Sequence, residues 1–276
     1  MFGYQYYHGI LRKYVIMFGN MFNDIDVVRY NNAGSAVQSI RVPIAYGPKE
    51  KFLARLRTDP SLNREVAIQL PRLAFEITDM SYAPERGLNK LGVSTGIGTT
   101  PNTIRKAQSP VPYDITFTLY AMFANNEDAV QVIEQILPFF RPEWTHTLKL
   151  VPSIADTFDV PTVFAGMSIE DSYDADFQTR RAIIYTMTFI VKGYLFGPVK
   201  NKGVIKRTVV DLSANNVIGA PHNTGITLTP GLLANGSPTT NSTASIAISG
   251  ISSNTDFGLA FDYENFFDGI DRHGHS

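Results

Sequence analysis

The glycines of GVSTGIGTT, Gly92 to Thr100, are as dense as those of a phosphate-cradling loop, where backbone N–H groups must approach an anion closely. They lack the Gly-Lys-Ser/Thr ending that sets a lysine on the phosphates, and no strand and helix flank them. They read as loop glycines. Glu170, Asp171, Asp174 and Asp176 could supply oxygen ligands, but the run has neither the central glycine nor the terminal glutamate of a helix-loop-helix calcium site, so a solvated turn is expected. His8, His146, His222, His273 and His275 are scattered, and the closing His-Gly-His offers only adventitious metal binding. No serine has the context of a nucleophile elbow, and Asp156 with Asp159 is too generic a pair for acid-base work. The sequence thus predicts no catalytic residue, no metal site and no cofactor. A small hydrolase using Asp156, Glu170 or Asp174 is a poorly motivated alternative, and an interaction protein is the better class.

Composition points the same way. A chain of 276 residues, 44% hydrophobic, can bury one sizeable core, or one core and an appendage. Lysine plus arginine total 24 against 25 acidic residues, so no global field draws the protein to nucleic acid or to an anionic membrane. Partners must be recognised by shape and local patches. Without cysteine there are no disulfides or thiolate sites, which fits a reducing compartment. The apolar run YVIMFGNMF, Tyr14 to Phe22, is far shorter than the roughly 20 residues of a membrane span and is followed by Asn23, Asp24 and Asp26 rather than a cleavage site. A soluble, unexported protein is the expectation.

The elements that would position any site are written most clearly between Val111 and Pro142. Tyr113, Ile115, Phe117, Leu119, Ala121 and Phe123 alternate with Asp114, Thr116 and Thr118, as in a half-buried strand. Asn125 and Asn126 are possible helix caps, Glu127 and Asp128 suit the positive end of a helix, and Ala129, Val132, Ile133, Ile136, Leu137 and Phe140 follow at helical spacing. Pro138 should end or kink that helix near Leu137, leaving Phe139 and Phe140 packed on the layer beneath. Burying the helix's apolar residues yields about 1.5–3 kcal/mol each, against ordering costs of about 1–2 kcal/mol per residue, so the sheet must hold it.

Before this stretch, Tyr7, Ile10, Leu11, Tyr14, Phe18, Met21 and Phe22 predict an N-terminal helix with an aromatic face. Ile25 to Tyr30 and Val37 to Tyr46, around Asn31, Asn32 and Gly34, read as a β-hairpin. A short basic helix follows Pro48, then a half-buried strand from Arg72 to Met80. Residues 83–110 are polar and rich in Gly, Thr, Ser and Asn, and are expected to form an arm or a long hairpin that orders on a partner. After Trp144, His146 to Val151, Val160 to Ile169 and the alternating Ile183 to Val191 read as strands. From Leu212 to Thr255 no residue is charged, leaving a linker or short β-segments such as Ile226 to Leu228 and Ile246 to Ile251. The acidic, aromatic end DFGLAFDYENFFDGID suits docking on another subunit or a frayed tail.

Taken in order, MFGYQYY, IRVPIAYGPKEKFLARL, LPRLAFEITDMSYAPER, EDAVQVIEQILPFFRP and RRAIIYTMTFIVKGYLFGPV resemble the tail sheath stabiliser and completion proteins of T4-like contractile-tailed phages. The similarity spans Met1 to about Val199. The resemblance implies an α+β, tail-terminator-like core: a mainly antiparallel or mixed β-sheet with one or two packed helices. On this reading, residues 1–199 form the core, with the arm at 83–110, and residues 200–276 form a C-terminal extension. It also implies a structural virion protein, assembled in the host cytoplasm, with no catalysis. Such a protein forms a homo-oligomer, a six-membered ring, at the head-proximal end of the tail. Its partners would be the tail sheath protein, the tail tube terminator and the head-side neck proteins, with no specific nucleic acid and no membrane. Another tail or baseplate component with a similar core is the alternative. Arg86, Lys90, Arg105 and Lys106 would then meet acidic patches on a neighbour, and Asp262, Glu264 and Asp268, with Phe266 and Phe267, would meet basic or apolar ones. For each residue alone, a charge or side chain kept for the surface is an equal reading.

Overall fold

The computed structural model describes residues 5–31, 35–57, 70–98, 100, 103–154, 156–171, 183–212, 224–252 and 255–265. In chain order the elements are α1 (Ile10–Met21), β1 (Asp26–Tyr30), β2 (Ala36–Arg41), β3 (Ile44–Tyr46), α2 (Lys49–Arg57), β4 (Arg72–Tyr82), β5 (Val93–Ile97), β6 (Thr103–Gln108), β7 (Val111–Phe123), α3 (Asn126–Ile136), β8 (Glu143–Leu148), β9 (Phe158–Asp171), β10 (Ile183–Leu195), β11 (Lys200–Gly203), β12 (Thr208–Leu212), β13 (Thr224–Gly231) and β14 (Gly258–Asn265). They form two compact units. The first takes Met1–Gly92, Gln108–Pro152 and Asp156–Pro198, and the second takes Val93–Ala107, Ser153–Ala155 and Val199–Ser276. The fold is α+β and mostly sheet, as expected.

The first unit is built on a six-stranded sheet in the order β3-β4-β7-β10-β9-β8, all antiparallel except β3 on β4. Strands β7 and β10 pair without interruption from Val111↔Leu195 to Phe123↔Ile183. Their alternation places Ile115, Phe117, Leu119, Ala121 and Phe123 beside Val191, Phe189, Met187, Tyr185 and Ile183 on one face, all buried. Two helices cover that face. From α1, the Phe18 ring stacks on Phe117 at 4.5 Å and meets Phe75 at 5.2 Å and Phe189 at 5.5 Å. Ala129, Val132, Ile133 and Ile136 of α3 are buried on the same layer, and the Gln131 side-chain amide bonds both the N–H and the C=O of Val28, completing the edge of β1. The opposite face carries Thr116, Thr118, Thr186 and Thr188. At one end of that face Phe52 of α2 packs on Ala74, Met122 and Ile184.

Several local expectations are corrected. The N-terminal helix starts at Ile10, after Gly9 in the left-handed region at φ 66°, so Tyr7 lies outside it and is exposed. Asn125 occupies the cap position of α3 but makes no side-chain capping bond, while Asn126 accepts a bond from the Tyr185 hydroxyl. Pro138 tightens the chain after Ile136 into a 3-10 turn, Leu137–Phe139, and of the two following rings only Phe140 packs inward, 5.0 Å from Phe189. Phe139 is exposed against Trp144. The strand near His146 ends at Leu148, because Leu150 and Val151 turn into the core.

In the second unit, β11, β6 and β5 form one three-stranded sheet and β12, β13 and β14 another. The polar arm therefore forms strands within the chain, with β6 pairing antiparallel to β11 from Lys106↔Lys200 to Thr103↔Gly203. Its glycines allow close backbone approach, since a Cβ at Gly96 or Gly98 would collide with the carbonyl oxygen of Ser153 or Thr103. Ile226 to Leu228 lies in β13 as expected. Ile246 to Ile251 is not a strand: a 3-10 turn occupies Ile248–Gly250, its carbonyls serving as local acceptors. The stretch read as a docking or frayed tail is partly regular, because Gly258–Asn265 alternates and pairs with β13 along its whole length.

Tyr14 closes the join between α1 and β10. Strand β9 leaves β10 beyond Val191, so the outward backbone groups of Tyr194 have no strand partner there among the described residues. The fully buried Tyr14 hydroxyl substitutes for one, donating to the Tyr194 carbonyl and accepting from its N–H, both at 2.8 Å. Burial pushes the Tyr14 phenol up to about 12, so it keeps its proton. Gly193 leaves room for the ring, because a Cβ would lie 2.9 Å from it. Tyr14→Phe should lower unfolding free energy by about 1–3 kcal/mol, seen as a reduced denaturant midpoint at unchanged slope. An unchanged midpoint would show that water replaces the hydroxyl.

His146, on β8 beside Val160, has its proton affinity lowered by burial, and its Nδ1 has no hydrogen-bond partner among the described residues. The folded state thus prefers the neutral ring, and the unfolded chain binds the proton more readily. The sign follows: the contribution is complete above the ordinary histidine range, near pH 6.5, and is lost as pH falls below it. Between pH about 7 and about 5, the wild-type melting temperature should therefore fall further than that of His146→Gln. Parallel pH profiles would show that the ring titrates as it does in the unfolded chain.

Candidate interaction surfaces

The residues singled out from the sequence fall in different environments. Arg86 sits in the 3-10 turn Pro84–Arg86 and is engaged within the first unit: its guanidinium donates to Asp114 Oδ1 at 2.5 Å and to the Gly193 carbonyl at 3.5 Å, and lies 5.4 Å from the Tyr194 ring centroid. It fastens the turn after β4 to β7 and β10. Lys90 is exposed in the turn that follows. Glu170 pairs with Lys49 at 2.6 Å, and Asp171 ends β9, while Asp174 and Asp176 lie outside the described residues. Phe266, Phe267 and Asp268 also lie outside them.

Strand geometry groups the remaining cations. In the β6–β11 pair, Lys106 faces Lys200 and Ile104 faces Lys202, so these positions share one face, while Arg105 and Asn201 share the other. Three lysines on one face favour the approach of an anionic group. Sequence reading found Lys106 but not Lys200 or Lys202, because only the register reveals that 106 and 200 are neighbours. Asp262 of β14 is exposed and pairs with Thr227, and Glu264 sits opposite Gly225 at the next position of the same face.

The other face of the β12–β13–β14 sheet is apolar. Leu259, Phe261 and Tyr263 alternate along β14, facing Pro230, Leu228 and Ile226, and Val210 and Leu212 extend the row on β12. Tyr263 is 67% exposed, and Leu212, Leu259 and Phe261 are also exposed. At the Leu259 end the face opens into a concavity of about 170 Å³ whose wall includes Val204, Ile205, Ile251 and Phe257. There the Lys206 ammonium is tied to the Ile248 and Ile251 carbonyls at 3.2 and 2.6 Å. Contiguous exposed apolar surface of this kind is a feature from which protein contacts are commonly built. The signal in sequence was the Leu-Ala-Phe-Asp-Tyr-Glu alternation, which the acidic composition of the tail obscured.

No group of three or more histidines, cysteines or carboxylates among the described residues could hold a metal ion. The described residues offer surfaces of stated charge and hydrophobicity.

Comparison with known proteins agrees with this reading. Residues 5–246 match the model of the T4-like virus Myoviridae tail sheath stabiliser family. The "Tail completion protein gp15" of Enterobacteria phage T4 is 30% identical over 223 residues, covering 78% of this chain and 80% of that protein. The match reaches well beyond Val199, where the recognisable motifs end, and takes in β11, β12 and β13, leaving β14 outside it. The chain belongs to the T4-like tail sheath stabiliser family, as a structural component of the contractile phage tail rather than an enzyme.

Proposed function

We propose that this protein forms a ring, a hexamer, that caps the head-proximal end of a contractile tail. The ring holds the sheath in its extended arrangement, closes the tube and its terminator, and presents the surface that the head-side neck proteins join. The observation that carries this reading is the family match over residues 5–246, together with a relative named for tail completion. The geometry supports it. A sheet buried under two helices supplies a rigid body, and the second unit carries a lysine-bearing face and an apolar face suited to protein contacts.

The mechanism is differential affinity. A cap holds an extended sheath only if it binds that arrangement better than the contracted one, since a ligand with equal affinity for two states shifts nothing. A rigid subunit suits the task because it cannot follow the sheath into its second geometry. In this scheme Lys90, Lys106 with Lys202 on the same face, and Arg105 on the other face meet acidic patches on neighbours, and Asp262 meets a basic one.

Electron micrographs of tails assembled without this protein should show contracted or unfinished sheaths, and restoring it should place a ring at the head-proximal end. A compact monomer at high concentration, combined with intact extended sheaths on tails that lack the protein, would overturn the proposal. Reversing charge with Lys106→Glu and Lys202→Glu should leave the melting temperature nearly unchanged while reducing retention on tails. Retention of the wild type should fall with ionic strength, because exposed charges are screened beyond roughly 10 Å at 0.1 M salt. Equal retention of variant and wild type at every salt concentration would remove these lysines from the interface.

A further inference from the structure

Among the described residues, the six-stranded sheet of the first unit is open on both sides, each over half a strand. Strand β8 covers β9 only from Phe158 to Val163, so the outer edge from Phe164 to Asp171 has no strand partner among the described residues. Strand β3 covers β4 only from Leu73 to Phe75, and the outer edge from Glu76 to Tyr82 is likewise unpaired there. Bare edges present alternate N–H and C=O groups, and proteins that stay monomeric blunt them with proline or lysine. Neither stretch contains either residue; each has a bulge, at Thr78 and at Ala165, and two carboxylates, and between them stand exposed apolar side chains: Met167 and Ile169, 39% and 57% exposed, on β9, and Tyr82, 54% exposed, on β4.

We infer that the Glu76–Tyr82 edge of one copy pairs with the Phe164–Asp171 edge of the next, joining subunits through one continuous sheet. This rests on the ring reading above and names the surface that would build the ring. Four observations select a second copy as the occupant.

The two edges match by face. Ile77, Met80 and Tyr82 pair with Phe117, Ile115 and Tyr113, and Met167 and Ile169 with Met187 and Tyr185, so all five stand on the helix-covered side. Their polar neighbours Glu76, Asp79, Ser81, Ser168 and Glu170 stand on the other, so pairing sets apolar beside apolar on the helix-covered side, while on the polar side Lys49, 2.6 Å from Glu170, offsets its charge beside the carboxylates of β4. The edges also match in length and direction: β4 runs antiparallel to β9 through the intervening strands, the better-paired orientation when identical copies follow one another.

The edges are different from each other. A contact between unlike surfaces is head-to-tail, each copy using one edge as donor and one as acceptor, and such contacts close into rings or run on as filaments. Finally, the open stretch of β9 lies by the Phe123 end of β7, and that of β4 by the Val111 end. Successive copies therefore step along the strand direction, the stagger that a closed sheet of tilted strands requires.

The chain has no cysteine, so cross-linking can be read cleanly. Ser81→Cys and Ser168→Cys place thiols at exposed positions on the polar side of the two edges. On isolated tails carrying the double variant, a short thiol cross-linker should give a ladder of covalent multimers up to the copy number of the ring. Each single variant should give none, and a mixture of the two singles should give dimers only. Dimers from Ser168→Cys alone, or cross-links to a different tail protein, would overturn the inference. A second measurement guards against an unfavourable thiol distance: Ile169→Lys and Tyr82→Lys should keep the wild-type melting temperature and lose retention on tails at least tenfold. Full retention of both would also overturn it. If micrographs of the same tails show the ring while the ladder is absent and both lysine variants are retained, the edge pairing fails and the ring stands. If no ring is present on tails, the ring reading itself fails.

Discussion

The uninterrupted pairing of β7 with β10, each a 13-residue strand, sets the position of every other part of the first unit. Because side chains alternate, a slip of one residue would turn either Phe117 and Leu119 or Phe189 and Met187 from the helical layer to the threonine-bearing face. Register is held by what covers the sheet. Phe18 fits between Phe117, Phe75 and Phe189, and α3 sets its buried residues beside them. Helix and sheet each bury a face that would otherwise be in water, so neither is stable in this form without the other.

Where the sheet is incomplete, individual side chains finish it. Tyr14 satisfies the backbone of Tyr194 beyond the end of β9, and Gln131 satisfies Val28 at the edge of β1. Arg86 does comparable work at the turn after β4, bonding Asp114 and the Gly193 carbonyl. Such groups are costly to leave unpaired when buried, so the chain spends long polar side chains on its own backbone. Against this economy, the edges of β4 and β9 that have no strand partner among the described residues, and the exposed apolar face of β12, β13 and β14, stand out. A protein whose task is to join a larger particle can leave such surfaces to its neighbours.

The central strands and α3 were legible from residue order because each buries one face, and burial writes its period into the sequence: two for Tyr113 to Phe123, between three and four for Ala129 to Ile136. The second unit was largely illegible. Its small strands carry Gly, Ser, Thr and Asn, have little buried area to enforce a period, and pair across long stretches of sequence, as when Lys106 meets Lys200. Tyr7 was misplaced into α1 because its spacing fits a helix, whereas the left-handed Gly9 breaks the chain there. Arg86 looked like a free surface cation, since nothing local places Asp114 and Tyr194 beside it.

By itself, the sequence determined the α+β class, the main strands and helices and the likeness to tail sheath stabilisers. These are properties of local periodicity and of ordered motifs, which depend on residue type and spacing alone. Only the tertiary structure decided which edges of the sheet are left bare, which lysines share a face, and that the end of the chain supplies a third strand to an exposed apolar sheet. Those features depend on pairing between residues far apart in the chain, and register, unlike period, is fixed by the partner strand rather than by the strand itself.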